Sequence, residues 1–374
     1  MKIKKLSPHV IQTAAGLMIV VLTIGSLVYI GKGSANALGS HSEDLRQRWK
    51  ENGDFVSRLQ DNRKTPGVYP PWSYVLGMPF APPFSFPLVK FWFWVVNCAC
   101  LFLISYWASK AIPTASIRLR WLAALTCTAI GGNLSAISLG QYSIVTAACL
   151  AGGVLLLQRD RPVLPGLLFG FSLVKPQVAI LHVGGLIFRN PRRYWRPVVF
   201  AGIVIAAASL FAWFWTRTDP VTMFLHAGRA ATYWSHPYDR SIYYAGFKYH
   251  MDPFLRSIIL AAVAVVASSA AAIRLRRASL VDQLAVCSVL SMLLLVHSSY
   301  DNIMLAFLAI ALMRRAIVAN RSVPLVLYLL VGFTLWVPGP PRVNLRGVEY
   351  LVWALGALYL IIVPLRLLRN NTEL

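Results

Sequence analysis

WLAALTCTAIGGNLSAISLGQYSIVTAACLAGGVLLLQ, residues 121–158, runs 38 positions without a charged side chain. An apolar run longer than about 18 residues is the mark of a chain that crosses a hydrocarbon layer as helix, where every backbone group must be paired internally. Two punctuations divide the run. Gly131-Gly132-Asn133 and Gly140-Gln141 each set a glycine, a poor helix former, beside a polar side chain. The stretch therefore reads as two short passes with polar groups at their junctions.

Similar runs lie on both sides. Leu6–Gly31 sits between Lys5 and Lys32, and its apolar part, Val10–Ile30, exceeds the roughly 7–15 residues of a signal-peptide core, so it is expected to remain as a first helix. Phe91–Ala108 is a second span. Pro162–Val174 and Pro176–Phe188 are 13-residue runs on either side of Lys175. Each is about 20 Å long as helix, short of a roughly 30 Å hydrocarbon core. They are expected to form a broken or re-entrant pair meeting at Lys175-Pro176. Further runs are 197–216, 257–273, 283–300, 302–313, 322–341 and 350–365. The expected fold is an all-α polytopic membrane protein, a single integral membrane domain over 1–374. It has about ten spanning helices plus the short pair, a long first outer loop (32–90) and a second large one (217–256).

Composition agrees. The chain is 57% hydrophobic and 13% charged, half the usual charged share of roughly 25%, with a mean hydropathy of +0.60. That excludes a disordered, collagen-like or ordinary soluble protein. The net charge of +23 would suggest nucleic acid in a soluble protein. Here much of it follows the positive-inside rule. With both termini inside, the inner loops hold 20 Lys+Arg against 3 Asp+Glu. A bacterial inner membrane is the expected location. The five cysteines all fall in apolar runs, which points to packing rather than to disulfides or zinc.

On this topology the outer side receives Glu43, Asp44, Glu51, Asp54, Asp61, Asp219, Asp239, Asp252, Asp301 and Glu349. Simple loop solubility accounts for most of them. The first outer loop, HSEDLRQRWKENGDFVSRLQDNRKTPGVYPPWSYVLGMPFAPPF (41–84), opens as an amphipathic helix and then turns at Tyr69-Pro70-Pro71-Trp72, because a residue before proline avoids the helical region. The second, HAGRAATYWSHPYDRSIYYAGFKYHMDP (226–253), interleaves His236, Asp239, Arg240 and Lys248 with Tyr238 and other aromatics. Aromatic faces stack on sugars and guanidinium groups grip phosphate, while an interfacial aromatic belt is the plainer alternative. His297-Ser298-Ser299-Tyr300-Asp301-Asn302 forms a polar turn between two spans, with Asp301 a possible helix cap. Lys175 lies between apolar half-helices, where an ionisable group suggests function by default, unless it only snorkels outward. Gln141 is a further polar residue at a membrane boundary.

No P-loop, nucleophile elbow, H-E-x-x-H zinc motif or EF-hand loop is present. Chemistry at the outer face, away from ATP and sugar nucleotides, needs a donor that arrives through the membrane. A lipid-phosphate-linked sugar fits.

These residues resemble the family 87 glycosyltransferases, polytopic enzymes of the GT-C class. Asp44-Leu45-Arg46 with Trp49 resembles the family's D-[FL]-R-x-x-[YW] stretch, and Tyr69-Pro70-Pro71 its Y-P-P element. Gly140-Gln141, the run GLLFGFSLVKP (166–176) and Tyr300-Asp301 after His297 match in order and spacing. The resemblance implies a mannosyltransferase that takes mannose from a polyprenyl phosphate, with a catalytic Asp in the first outer loop. By motif that is Asp44, with Asp54 of Gly53-Asp54-Phe55 as the alternative. The carboxylate would accept the proton of the acceptor hydroxyl as it attacks the anomeric carbon, inverting it. Lys175, Arg240 and Lys248 would neutralise the departing phosphate without a metal, with His297 as a hydrogen-bond donor to it. Tyr69, Trp72, Gln141, His236, Tyr238, Asp239, Tyr300 and Asp301 would line the sugar and acceptor. No cofactor or metal is expected, and no nucleic acid. The partners would be the lipid-linked sugar, a glycolipid, polysaccharide or other glycan acceptor, and membrane lipid. A transporter or flippase of an anionic or lipid-linked substrate, and a structural subunit of an envelope complex, are the alternatives.

Overall fold

The computed structural model describes residues 8–39, 42–57, 69–113, 116–157, 161–235, 252–319, 321–337 and 346–363. These residues form helices, with no strand among them. The first helix, α1 (Pro8–Leu38), opens on a proline, whose missing N–H costs nothing in a first turn. Proline also sits in the first turn of α4 (Phe86–Ala111), α10 (Pro191–Thr216) and α12 (Pro253–Arg274). In each, the imino ring sets the start of a long apolar helix. Asp252 completes the start of α12 by accepting from the Phe254 and Leu255 amides at 3.0 Å each, and Asp219 does the same for α11 (Pro220–Ser235). Two of the acidic residues expected on the outer side are therefore helix caps.

The run 121–158 breaks where its glycines stand, into three helices rather than two. α5 (Ile117–Thr128) and α6 (Gly132–Leu139) meet at 53°, and α7 (Ser143–Leu156) follows the turn at Gly140-Gln141. The expected broken pair is α8 (Val163–Ser172) and α9 (Pro176–Arg189), separated by Leu173-Val174-Lys175. The chain continues through α13 (Leu280–Leu294), a 3₁₀ segment (Ser299–Leu305) running into α14 (Ala306–Ala319), α15 (Ser322–Trp336) and α16 (Arg346–Ile362). The stretch between α1 and α4 carries α2 (Glu43–Ser57) and α3 (Pro71–Gly77).

Among the described residues, five helices are long and apolar enough to cross a membrane, or six if the bent α5–α6 pair is one span. Five more apolar helices are only 10–17 residues long, so the expected ten full spans are not established. Gly or Pro interrupts the run at α7 and α8, whereas α13 stops ahead of the polar His297-Ser298 turn.

The five long candidates are not equivalent. In Ser299–Ala319 the most apolar window is 78% buried inside the protein, against 17–28% for the other four. That stretch is the axis of the bundle. The others turn Leu17, Phe102, Ile203 and Val266 outward, as helices do when lipid is the solvent. Lipid gives helices no hydrophobic reason to associate, so close approach over small residues must hold them. Gly166 and Gly170, one turn apart on α8, face Phe200 and Val204 of α10, and a Cβ at either would collide with those side chains. The small-residue run before Lys175 is thus a helix-packing surface. The cysteines are free, with Cys127, Cys149 and Cys287 buried.

Candidate active site

The site is assembled from the first loop. On α2, Leu45, Arg48, Asn52 and Phe55 recur at helical spacing and are buried, whereas Asp54 is exposed. Three hydrogen bonds to backbone carbonyls fix this helix in place. Trp49 Nε1 donates to Phe84 O (2.6 Å), Asn52 Nδ2 to Ala81 O (2.7 Å), and Trp215 Nε1 of α10 to Phe55 O (2.7 Å). Arg46 and Trp49 both rest on the Phe86 ring. Arg48 lies 3.6 Å over the Tyr69 ring and pairs with Glu51 at 3.0 Å. Burial works against the Arg48 charge, but Tyr69 and Glu51 more than offset it, holding the guanidinium above its ordinary range. Burial likewise pushes the Tyr74 hydroxyl up.

Asp44, in the first turn of α2, is half-buried and accepts a hydrogen bond from Gln141 Nε2. The turn that delivers Gln141 requires glycine. Gly140 ends α6 with φ +76°, and a Cβ there would strike Leu45. The residues Asp44-Leu45 and Gly140-Gln141 therefore interlock, one pair by packing and the other by hydrogen bonding.

The next residues extend the site inward. The Tyr142 ring meets Tyr69 edge-on at 6.1 Å and packs on Phe80 and Phe93. Ser143 donates to Asp301 Oδ1 (2.5 Å) and accepts from Lys175 Nζ (3.0 Å). Lys175 itself is 2% exposed, bonds Asp301 Oδ1 at 2.5 Å and lies 4.4 Å over the Tyr300 ring. A lysine so buried carries its charge because a carboxylate neutralises it. Asp301 is not the helix cap. Ser298 is, and Asp301 three residues on accepts from the Ser298 amide at 3.1 Å in a capping box. His297 is buried, with Nδ1 3.3 Å from Leu295 O.

The Y-P-P-W element docks onto the α8–α9 break. Trp72 Nε1 and Ser73 Oγ donate to the Leu173 and Val174 carbonyls, both at 2.9 Å, and the Trp72 ring stacks on Phe224. Asp44, Tyr69, Trp72, Gln141, Lys175, Tyr300 and Asp301 thus belong to one connected region. His236, Tyr238, Asp239, Arg240 and Lys248 lie outside the described residues. Ser143 and Arg48 were not singled out in the sequence. Arg48 had a signal, since it stands four residues after Asp44 on the amphipathic face. Among the described residues no three His, Cys, Asp or Glu side chains gather as a metal site.

The sequence model of glycosyltransferase family 87 matches residues 68–299. The match takes in Tyr69-Pro70-Pro71, Gly140-Gln141, the run ending at Lys175-Pro176 and His297, and begins after Asp44 and Asp54. No curated protein and no solved structure matches the chain. On that match, covering more than half of its length, and on its apolar helices, this chain belongs to glycosyltransferase family 87 and is a membrane glycosyltransferase.

Proposed function

We propose that the protein transfers a hexose, mannose by the family resemblance, from a polyprenyl phosphate to a hydroxyl of a glycolipid, polysaccharide or other glycan. The reaction would take place at the extracytoplasmic face of a bacterial inner membrane, with both termini on the other side, in keeping with the basic bias of the inner loops. The acceptor oxygen attacks the anomeric carbon as the bond from that carbon to the phosphate oxygen breaks. The polyprenyl phosphate leaves with the electron pair, and Asp44 takes the hydroxyl proton. One displacement inverts the anomeric centre.

The observation that carries this reading is the contrast between the two loop carboxylates. Asp44 is half-buried and held by Gln141, whereas Asp54 lies exposed on the outer side of α2. A base must sit within hydrogen-bond reach of its proton in a site that excludes water as competing acceptor. The partial burial of Asp44 and its fixed partner favour it over the exposed Asp54. Lys175 is already neutralised by Asp301, so Arg240 and Lys248 are the cations proposed for the departing phosphate. Lys175, Ser143 and Asp301 hold the α8–α9 break on which Trp72 docks.

The test is transfer by the purified full-length protein from a panel of donors. Polyprenyl-phosphate-mannose should be consumed and a nucleotide-linked mannose should not. Turnover of the nucleotide sugar alone, or of no lipid-linked sugar with any glycan acceptor, would overturn the reading.

A further inference from the structure

Gln141 is 4% exposed, and its amide is turned on the Asp44 carboxylate. A carboxylate only accepts, so the contact is a donated N–H from Nε2 to Oδ2. The backbone leaves Gln141 little choice. Its own amide bonds Ala136 O at 2.9 Å, Gly140 before it is fixed at φ +76° under Leu45, and Ser143 after it is tied to Lys175 and Asp301. The outer torsion of an aspartate is broad and roughly two-fold, so a carboxylate on an amphipathic loop helix does not fix its own plane. A neutral donor on one oxygen fixes that plane without cancelling the charge, and it leaves Oδ1 for a proton.

We infer that Gln141 is a positioning residue for Asp44, acting on the reaction through that carboxylate rather than by contact with the sugar. The inference rests on the reading of Asp44 as the base. It makes the tripeptide Gln141-Tyr142-Ser143 the connector between the first loop and the buried Lys175–Asp301 pair.

Steady-state transfer from polyprenyl-phosphate-mannose by the full chain, measured for wild type, Gln141→Ala, Gln141→Glu, Asp44→Asn and the Gln141→Ala/Asp44→Asn double variant, tests it. Gln141→Ala should lower kcat by about 10- to 100-fold with KM for donor and acceptor within about twofold, the signature of lost alignment rather than lost binding. Asp44→Asn should fall further, and the double variant no lower than Asp44→Asn alone, since a positioning group has nothing left to position. Gln141→Glu keeps the side-chain volume and loses the donated N–H. It should fall at least as far as Gln141→Ala, and it decides the matter if the alanine variant does not fold. A raised KM with intact kcat, or losses that multiply in full in the double variant, would make Gln141 a substrate contact and overturn the inference. Wild-type turnover in both Gln141 variants with Asp44→Asn dead would overturn it while sparing the base. Wild-type turnover in Asp44→Asn would remove the base and the inference together.

Discussion

Two buried ion pairs stand at opposite ends of the axial stretch, one reaching the start of α9 through Lys175 and the other reaching α13 through Asp282. Lys175 opens α9 and Arg189 ends it, and Asp301 and Arg315 lie equally far apart on the axial stretch, about 20 Å as helix. At one end Lys175 meets Asp301 at 2.5 Å, and at the other Arg315 meets Asp282 at 2.7 Å, with all four side chains inaccessible. Their surroundings differ. Around Asp282 the guanidinium groups tie off backbone: Arg189 donates to the Leu275 and Ala278 carbonyls, and Arg315 to Val363 O. That end stitches helix termini together. Around Asp301 the third partner is a side chain, Ser143, two residues from the glutamine that holds a half-open carboxylate. A buried charge pair is therefore no mark of chemistry by itself. What distinguishes the Lys175 end is its connection, through Ser143 and Gln141, to the half-buried carboxylate of Asp44.

The largest expected effects come from splitting either pair. Asp301→Ala and Asp282→Ala should each cost about 3–5 kcal/mol in detergent unfolding, because each leaves a buried cation without its partner. The double variant Lys175→Met/Asp301→Leu should recover most of its loss, since a packed apolar pair removes the desolvation penalty along with the attraction. Activity then separates the two ends. Normalised to folded protein, Asp301→Asn should reduce turnover at least tenfold, as small displacements around a positioned group cost up to about 100-fold. Asp282→Asn should stay within about twofold. Equal losses at both ends would erase the distinction.

Smaller effects refine it. Ser143→Ala removes a hydroxyl shared by two charged groups and should cost about 1.5–3 kcal/mol of stability. Gly140→Ala forces a side chain into the left-handed region, costing about 1–2 kcal/mol before Leu45 is displaced, with turnover falling as the Asp44–Gln141 contact loosens.

Much of the helical order was legible because Gly and Pro punctuate it. Gly131-Gly132, Gly140-Gln141 and Lys175-Pro176 are all breaks, and each was visible as a residue that ends a helix. The span count was not legible. Hydropathy over 121–158 cannot report a 53° bend, nor tell a lipid-facing helix from the axial one, since both are equally apolar. The site was legible in its residue types and not in its pairings. Gln141 stands 97 residues from Asp44, and Lys175 stands 126 from Asp301. No local pattern encodes such contacts. The pairing of Lys175 with Asp301 leaves no local mark, and Ser143 looked like any small polar residue. Asp219 and Asp252 drew notice as outer carboxylates, yet their positions just ahead of Pro220 and Pro253 already carried the helix-cap signature.

The most direct test of the account is a side-by-side assay of Asp44→Asn and Asp54→Asn, each purified, folded and supplied with polyprenyl-phosphate-mannose and a glycan acceptor. Loss of a general base predicts a fall of about 10²- to 10⁴-fold for Asp44→Asn. The exposed Asp54 predicts turnover within about twofold of wild type for its variant. An inactive Asp54→Asn beside an active Asp44→Asn would contradict the assignment and move the chemistry to the other face of α2.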